Sequence, residues 1–331
     1  MTAGLMKAAW YDAQGAARDV LRVGELPVPE PAPGEVRVRV EASGIHVGDI
    51  GKRQGYWGST MAFPRVVPHG DGVGVIDAVG NGVATERIGE RVWVFLAQSY
   101  RPGGTAAEYT VVPSGHAVVL PGVVDSAQAA GLGIPGITGH RAVTAGGDVA
   151  GSNVLVTGAT GAVGRAAVAV ARRAGATVLA TVRRESEREV ALKLGAHHAF
   201  MSGPSLKDQI VDAVGPDAID VVADLAFDRT IDLAAEVLRY NGSVATYATG
   251  ETRPAVPYWQ LAFKNVAVRF ISNDDFPEEA NQLAARDLTA ALVAGDLRYD
   301  VRAEYSLEDI AAAHEDVEQG SGASRVILRV A

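Results

Sequence analysis

Hydrophobic and polar positions follow three successive patterns along the chain. Up to about residue 120 they alternate in short runs: VRVRV (36–40), GVGVIDAV (72–79), RVWVFL (91–96) and AEYTVV (107–112). A period of two turns one face inward and the other outward. These runs therefore read as half-buried antiparallel strands, and the glycines and prolines between them as turns of a barrel-like β domain. Pro121 and Gly122 close this region, and Asp125 or Ser126 is suited to cap a helix after it.

From residue 154 the strands become continuously apolar and alternate with helical segments. VLVT (154–157) runs into Gly158, Gly161 and Gly164, and a helix follows whose apolar positions are Val163, Ala166, Ala167, Val170, Ala171 and Ala174. Further strands are expected at 176–182, near 197–200, and at 219–225, 243–249 and 265–271. This order predicts an α/β architecture with a doubly wound parallel sheet, whose ligand sits where the strands' carboxyl ends converge, near Gly158, Ala226 and Ala248. Past residue 271 come a helix over 277–295, a strand at 301–305, a capping box of Ser306 with Asp309, and a strand at 325–330. A lone strand needs an existing sheet, so the tail is expected to rejoin the β domain. The expected division is 1–122, 123–271 and 272–331.

Composition narrows the function. With 331 residues, 48% hydrophobic, 38 glycines and 6% aromatics, the chain suits an alanine- and valine-rich α/β enzyme of two domains. A net charge of −9 argues against a nucleic-acid or anionic-membrane surface. Without any cysteine, disulfides, thiolate catalysis and cysteine-based metal sites are excluded. No apolar run is long enough to span a bilayer and no secretory signature opens the chain, so a cytoplasmic protein is expected.

The candidate chemistry begins at the glycine turn. Gly158, Ala159, Thr160, Gly161, Ala162, Val163 and Gly164 join a buried strand to a helix start, where glycines admit a pyrophosphate and free N–H groups receive its oxygens. At the end of the next strand, where a carboxylate would hold the ribose 2′-hydroxyl of NAD, stand Arg183 and Arg184. Arginine forks suit a 2′-phosphate, so NADPH is the expected cofactor. The other reading of the pair is a solvated basic start to a helix containing Glu185, Glu187 and Glu189. His197 and His198 are adjacent on a strand and should point to opposite faces, a poor chelating arrangement.

The stretches ASGIHVGDIGKRQG (42–55), HGDGVGVIDAVGNGV (69–83), LGIPGITGHRAV (132–143) and TGATGAVG (157–164) together resemble the medium-chain dehydrogenase/reductase superfamily, and within it the zinc-independent quinone oxidoreductase branch. The resemblance implies a GroES-like β-barrel catalytic domain split around a Rossmann domain, NADPH as donor, and a quinone or α,β-unsaturated carbonyl as small-molecule acceptor. It also implies a homodimer, for which the apolar segment NVAVRFI (265–271) offers an edge. The zinc ligands of metal-dependent relatives would fall at His46, Gly70 and Leu132, of which only His46 can bind metal; His69 lies one residue off and Asp71 matches an adjacent acid. No metal is expected.

The same resemblance places a substrate-pocket tyrosine near Tyr56, so Tyr56, His46 or water is the candidate proton source; the other reading of Tyr56 is an aromatic lid, and that of His46 a satisfied core histidine. Trp57 is expected to shape the pocket, and Asp49 to serve as a turn or helix cap. Thr138 is placed against the nicotinamide, Asn273 in the cofactor-contacting segment after the sixth strand, and Arg325 as an arginine within reach of the 2′-phosphate or a surface charge. Two alternatives stay open: an enoyl-thioester reductase, and a non-catalytic NADPH-binding protein.

Overall fold

The computed structural model describes residues 4–320 and 324–330. They form two compact units, one running through Pro135 and resuming at Tyr299, the other spanning Gly136–Arg298.

In the first unit β1 (Leu5–Trp10) and β2 (Arg22–Pro27) make an antiparallel pair. The larger sheet is built on β3 (Glu35–Gly44). Its first half pairs with β6 (Tyr109–Pro113), its length with β4 (Asp71–Val79), and its last three residues with β15 (Arg325–Arg329). The series continues through β5 (Arg91–Val94) to β7 (Ala117–Val119) on one side and through β15 to β14 (Val301–Ser306) on the other. The alternation read from VRVRV is realised: Val36, Val38 and Val40 are fully buried, and Val36 and Val38 pack with Ile76, Val92 and Val112. Each such valine contributes about 1.5–3 kcal/mol by leaving water. Register shifts at Arg37/Val38 and Val40/Ala42 curl the sheet. The tail strands do return to this sheet.

The second unit is a six-stranded parallel sheet in the doubly wound order, which runs from its third strand in sequence through the second to the first and then on to the fourth, fifth and sixth. Its strands are β8 (Asn153–Val156), β9 (Thr177–Val182), β10 (His198–Met201), β11 (Ile219–Asp224), β12 (Leu238–Thr246) and β13 (Ala267–Phe270). The fifth strand starts at Leu238, ahead of its expected position, and passes through Asn241 with φ of 60°. Leu155, Leu179, Val222 and Val244 carry the core under the helices.

Two expectations are corrected here. The boundaries differ from 122 and 271 because the helix Ser126–Ala130, capped by Asp125, stays with the β domain, while the helix Glu278–Ala294 stays with the parallel sheet. That second helix buries Ala284, Ala285, Leu288 and Ala291, and is tied to its own unit by His140 Nε2 to Asp287 Oδ2 at 2.9 Å. Ser306 and Asp309 form no capping box: Ser306 Oγ donates to Asp309 Oδ2 at 2.8 Å, and a single 3-10 turn (Leu307–Asp309) precedes the helix Ile310–Gln319. Among the described residues no helix is long and apolar enough to cross a membrane.

Candidate active site

The glycine turn lies at the carboxyl end of β8. Gly158 has φ of 61°, a left-handed conformation that costs other residues energy. Gly164 faces back onto the turn, where an added Cβ would come within 2.3 Å of the Gly158 carbonyl oxygen and 2.7 Å of Ala159 Cα. Helix Ala162–Arg173 therefore begins close against its own turn, and its N-cap, Gly161, supplies no side-chain cap. First-turn amides left in this way, at the positive end of the helix dipole, suit a phosphate group.

Two braces unnoticed in the sequence hold the turn. Asp224, at the end of β11 and fully buried, accepts from Thr157 at 3.2 Å, Thr230 at 2.5 Å and Thr246 at 2.8 Å, so one carboxylate joins the ends of β8, β11 and β12. Arg165, buried in the turn's own helix, donates to the Thr160 carbonyl at 3.0 Å and to that of Arg298 at 3.2 Å. An acid and an arginine on otherwise apolar elements were the available signal. Ala226 opens the helix Phe227–Val237, and the Ala248 carbonyl accepts from Phe227 N at 3.0 Å, so both lie at the strand ends as expected.

Past β9, Glu187 folds back so that one carboxylate oxygen accepts from the amides of Arg183 and Arg184 at 3.0 and 3.1 Å and the other from the Arg184 side chain at 2.6 Å. Burial would raise its pKa, but these donors prevail and hold it below the usual glutamate range. Arg184 is thus engaged in an ion pair, while the Arg183 side chain is exposed. Thr138 is buried on the helix Gly133–Thr144. Asn273 lies in a short 3-10 turn after β13 with its Nδ2 buried and without a protein partner. His197 accepts from Val178 N and pairs with Arg172, whereas His198 stacks on Phe200, so the two histidines do diverge.

In the β domain, His46 precedes the helix Val47–Gln54, and Asp49 Oδ2 accepts from its backbone N at 2.8 Å, the capping role expected of Asp49. The His46 ring is 4% exposed. Its Nδ1 lies 2.6 Å from Arg325 Nη2; arginine can only donate, so the ring proton belongs on Nε2, which faces Asp71 Oδ2 at 2.5 Å. The same Asp71 oxygen accepts from Ile134 N at 2.6 Å. Gly133 makes room for this carboxylate: a Cβ there would lie 2.3 Å from Oδ1. Burial and the neighbouring guanidinium push the His46 pKa down to about 3.

Two sequence expectations fail on this geometry. His46 is a neutral, enclosed imidazole with both nitrogens directed at neighbours, unsuited to deliver a proton to substrate. Arg325 is neither a surface charge nor a phosphate ligand, because its side chain is buried between His46 and the Ile45 carbonyl, which it meets at 3.1 Å.

A second buried chain runs beside the first. Arg53 Nε donates to His314 Nδ1 at 3.2 Å, and His314 Nε2 meets His69 Nε2 at 2.9 Å. His69 Nδ1 meets Ser43 Oγ at 2.9 Å, Ser43 meets Thr105 at 2.7 Å, and Thr105 donates to the Asp71 carbonyl at 2.5 Å. An obligate donor at one end and an obligate acceptor at the other fix every proton between them: His314 carries its hydrogen on Nε2, His69 on Nδ1. Both rings are neutral, burial being the main cause that lowers their pKa values, that of His69 to about 3. Both His69 nitrogens are therefore engaged by Ser43 and His314. Among the described residues no group of three His, Cys, Asp or Glu side chains is arranged to hold a metal ion.

Tyr56 and Trp57 remain as exposed groups, 52% and 70% accessible, in the turn after the helix Val47–Gln54.

Comparison with known proteins accords with both units. The alcohol dehydrogenase GroES-like domain family matches residues 32–122 and the zinc-binding dehydrogenase family residues 162–286. Quinone oxidoreductase of Homo sapiens is 31% identical over 309 residues, 92% of each chain. A 2-haloacrylate reductase of a Burkholderia species is 29% identical, over 88% of this chain and 89% of that one. A mycobacterial protein solved in complex with NADPH shares the fold, with TM-score 0.82 and 24% identity over 98% of this chain and all of that one. The protein is an oxidoreductase belonging to the medium-chain dehydrogenase/reductase superfamily, in its quinone oxidoreductase branch.

Proposed function

We propose that the protein reduces a quinone or an α,β-unsaturated carbonyl with NADPH, without a metal. The reading rests on one observation above all: an uncapped helix start behind a turn that leaves no space for a Cβ at Gly164. The dinucleotide fits there. The segment from Gly158 to Gly164 would take the pyrophosphate, the free guanidinium of Arg183 the 2′-phosphate, and Thr138, Ala226, Ala248 and the unpartnered Nδ2 of Asn273 the remainder of the cofactor. Bound there, the nicotinamide supplies the hydride. The relatives named as quinone oxidoreductases and as a 2-haloacrylate reductase support a conjugated acceptor.

Charge developing on the acceptor oxygen needs a donor. We assign that role to Tyr56, whose phenol is exposed, rather than to His46, which is neutral and enclosed. The buried hydrogen bond from Arg53 to His314 holds the helix Val47–Gln54, after which Tyr56 stands. Steady NADPH oxidation with quinones, enones and enoyl thioesters tests the assignment. Turnover is expected with the first two, with kcat about 10²-fold lower in Tyr56→Phe. An unchanged rate in that variant makes water the proton source, turnover with thioesters alone selects the enoyl reductase, and tight NADPH binding with no turnover selects the binding protein.

The unit around the parallel sheet is proposed to pair with a second copy along β13. This strand ends the sheet, Phe270 on it is 73% exposed, and the helix that precedes it (Tyr258–Phe263) bears exposed Trp259 and Phe263. Light scattering should give about twice the chain mass for the wild type and the chain mass for Phe270→Asp; a monomeric wild type removes the pairing.

A further inference from the structure

Trp57 sits in a conformation that a tryptophan adopts only at a cost. Its φ is 57°, between Gly55 at 74° and Gly58 at 75°, so the chain turns left-handed around it. For a bulky side chain this strain costs on the order of 1–3 kcal/mol and persists only where the surroundings impose it. They do so here. Gln14 Nε2 donates to the Lys52 carbonyl at 2.7 Å and to that of Ser59 at 3.2 Å, tying the turn to the helix Val47–Gln54. The ring itself lies on that helix at Gly51, where an added Cβ would be 1.9 Å from Trp57 Cζ3 and 2.4 Å from Cη2. Gly51 is thus a notch cut to the indole.

This strain does not serve to fill a core. Trp57 remains 70% exposed, and Tyr56 stands beside it at 6.1 Å between ring centroids with planes 75° apart. Burial repays little of the conformational cost, and a presented aromatic face is what it produces. One turn before Gly51 the helix shows Gly48, with nothing within 4 Å of where its Cβ would be, and Val47, 60% exposed. The indole therefore borders a low, open stretch of helix.

We infer that Trp57, locked against Gly51 in its left-handed turn, is the specificity-determining surface for the acceptor, favouring fused planar quinones that stack on its indole over small acyclic enones. The inference rests on the reductase reading above, with Tyr56 at the edge of the same surface. Ring stacking contributes about 0.5–1.5 kcal/mol beyond area burial, which corresponds to a two- to about tenfold preference.

The experiment compares a two-ring naphthoquinone with methyl vinyl ketone in NADPH-driven turnover by the wild type, Trp57→Ala, Trp57→Phe and Gly51→Ala. In Trp57→Ala the ratio of kcat/KM for the quinone to that for the enone should fall about tenfold, mainly through KM of the quinone, and Trp57→Phe should recover most of it. Gly51→Ala, which displaces the indole without removing it, should lower the ratio in the same direction. Independently of turnover, the naphthoquinone should quench tryptophan fluorescence saturably in the wild type, with a smaller amplitude in Trp57→Phe. Unchanged ratios in Trp57→Ala, or equal losses for both acceptors, overturn the inference while leaving the reductase assignment standing. Absence of turnover with either acceptor overturns the assignment itself, and unaltered quenching in Trp57→Phe then removes the stacking role too.

Discussion

Replacing Gly164 by alanine should abolish cofactor binding, while replacing Gly161 by alanine should only weaken it. The contrast follows from what each new methyl group would meet. At Gly164 the obstacles are backbone atoms, the Gly158 carbonyl oxygen at 2.3 Å with Ala159 Cα at 2.7 Å and its carbonyl carbon at 2.9 Å, none of which can rotate away. The turn would have to lift off the helix, carrying with it the amides proposed to bind phosphate. At Gly161 the nearest atom is the same carbonyl oxygen at 3.3 Å, a contact that a few tenths of an ångström relieves. Overpacking of the first kind costs about 1–3 kcal/mol in stability. Displacing the phosphate contacts should weaken NADPH at least about 100-fold, since charge-assisted hydrogen bonds contribute about 1.5–3 kcal/mol each. Isothermal titration of both variants measures this. Equal affinities in the two would show that the turn does not bear on the pyrophosphate.

The second large effect is acid sensitivity. His46, His69 and His314 are all buried and neutral, with pKa values lowered chiefly by burial, to about 3 for His46 and His69. In the unfolded chain each takes a proton near pH 6.5. Between that pH and the folded values the unfolded state binds more protons, so stability rises with pH and is lost as pH falls. One pH unit below 6.5 the three rings together should cost about 4 kcal/mol, with little change above pH 7.5. Asp49, whose carboxyl burial raises, takes its proton more readily when folded and offsets part of the loss at the acid end. Urea midpoints from pH 8 to pH 5 should fall steeply below 6.5. In His314→Gln, which removes one of the three buried rings, the slope should be shallower. A flat profile would mean that the imidazoles are charged or solvated in the folded protein.

The contrast between what the sequence discloses and what it hides is physical. The strands of both sheets and the glycine turn are local signals, periods of two and runs of apolar residues bounded by glycine, and they lie close to where the sequence puts them. The fate of a polar side chain depends on partners far along the chain. Arg325 reaches His46 across 279 positions and His69 reaches His314 across 245, and no spacing rule connects such pairs. Its place before a strand suits Arg325 to the surface, although its surroundings make it a buried clamp. The Ser306 and Asp309 spacing suits a capping box, but the two side chains bond each other instead. Glu187 shows the reverse: its place among the acids of a helix start marks it for no role, yet it is the group that organises the loop bearing Arg183.

This turn and this arginine are proposed to hold a phosphorylated nicotinamide dinucleotide. Titrating NADPH and NADH into the wild type and into Arg183→Ala addresses it most directly. Saturable binding is expected, with NADPH preferred about tenfold or more in the wild type and that preference lost in the variant while NADH affinity holds. No saturable signal, or equal affinities for the two nucleotides in the wild type, would contradict it.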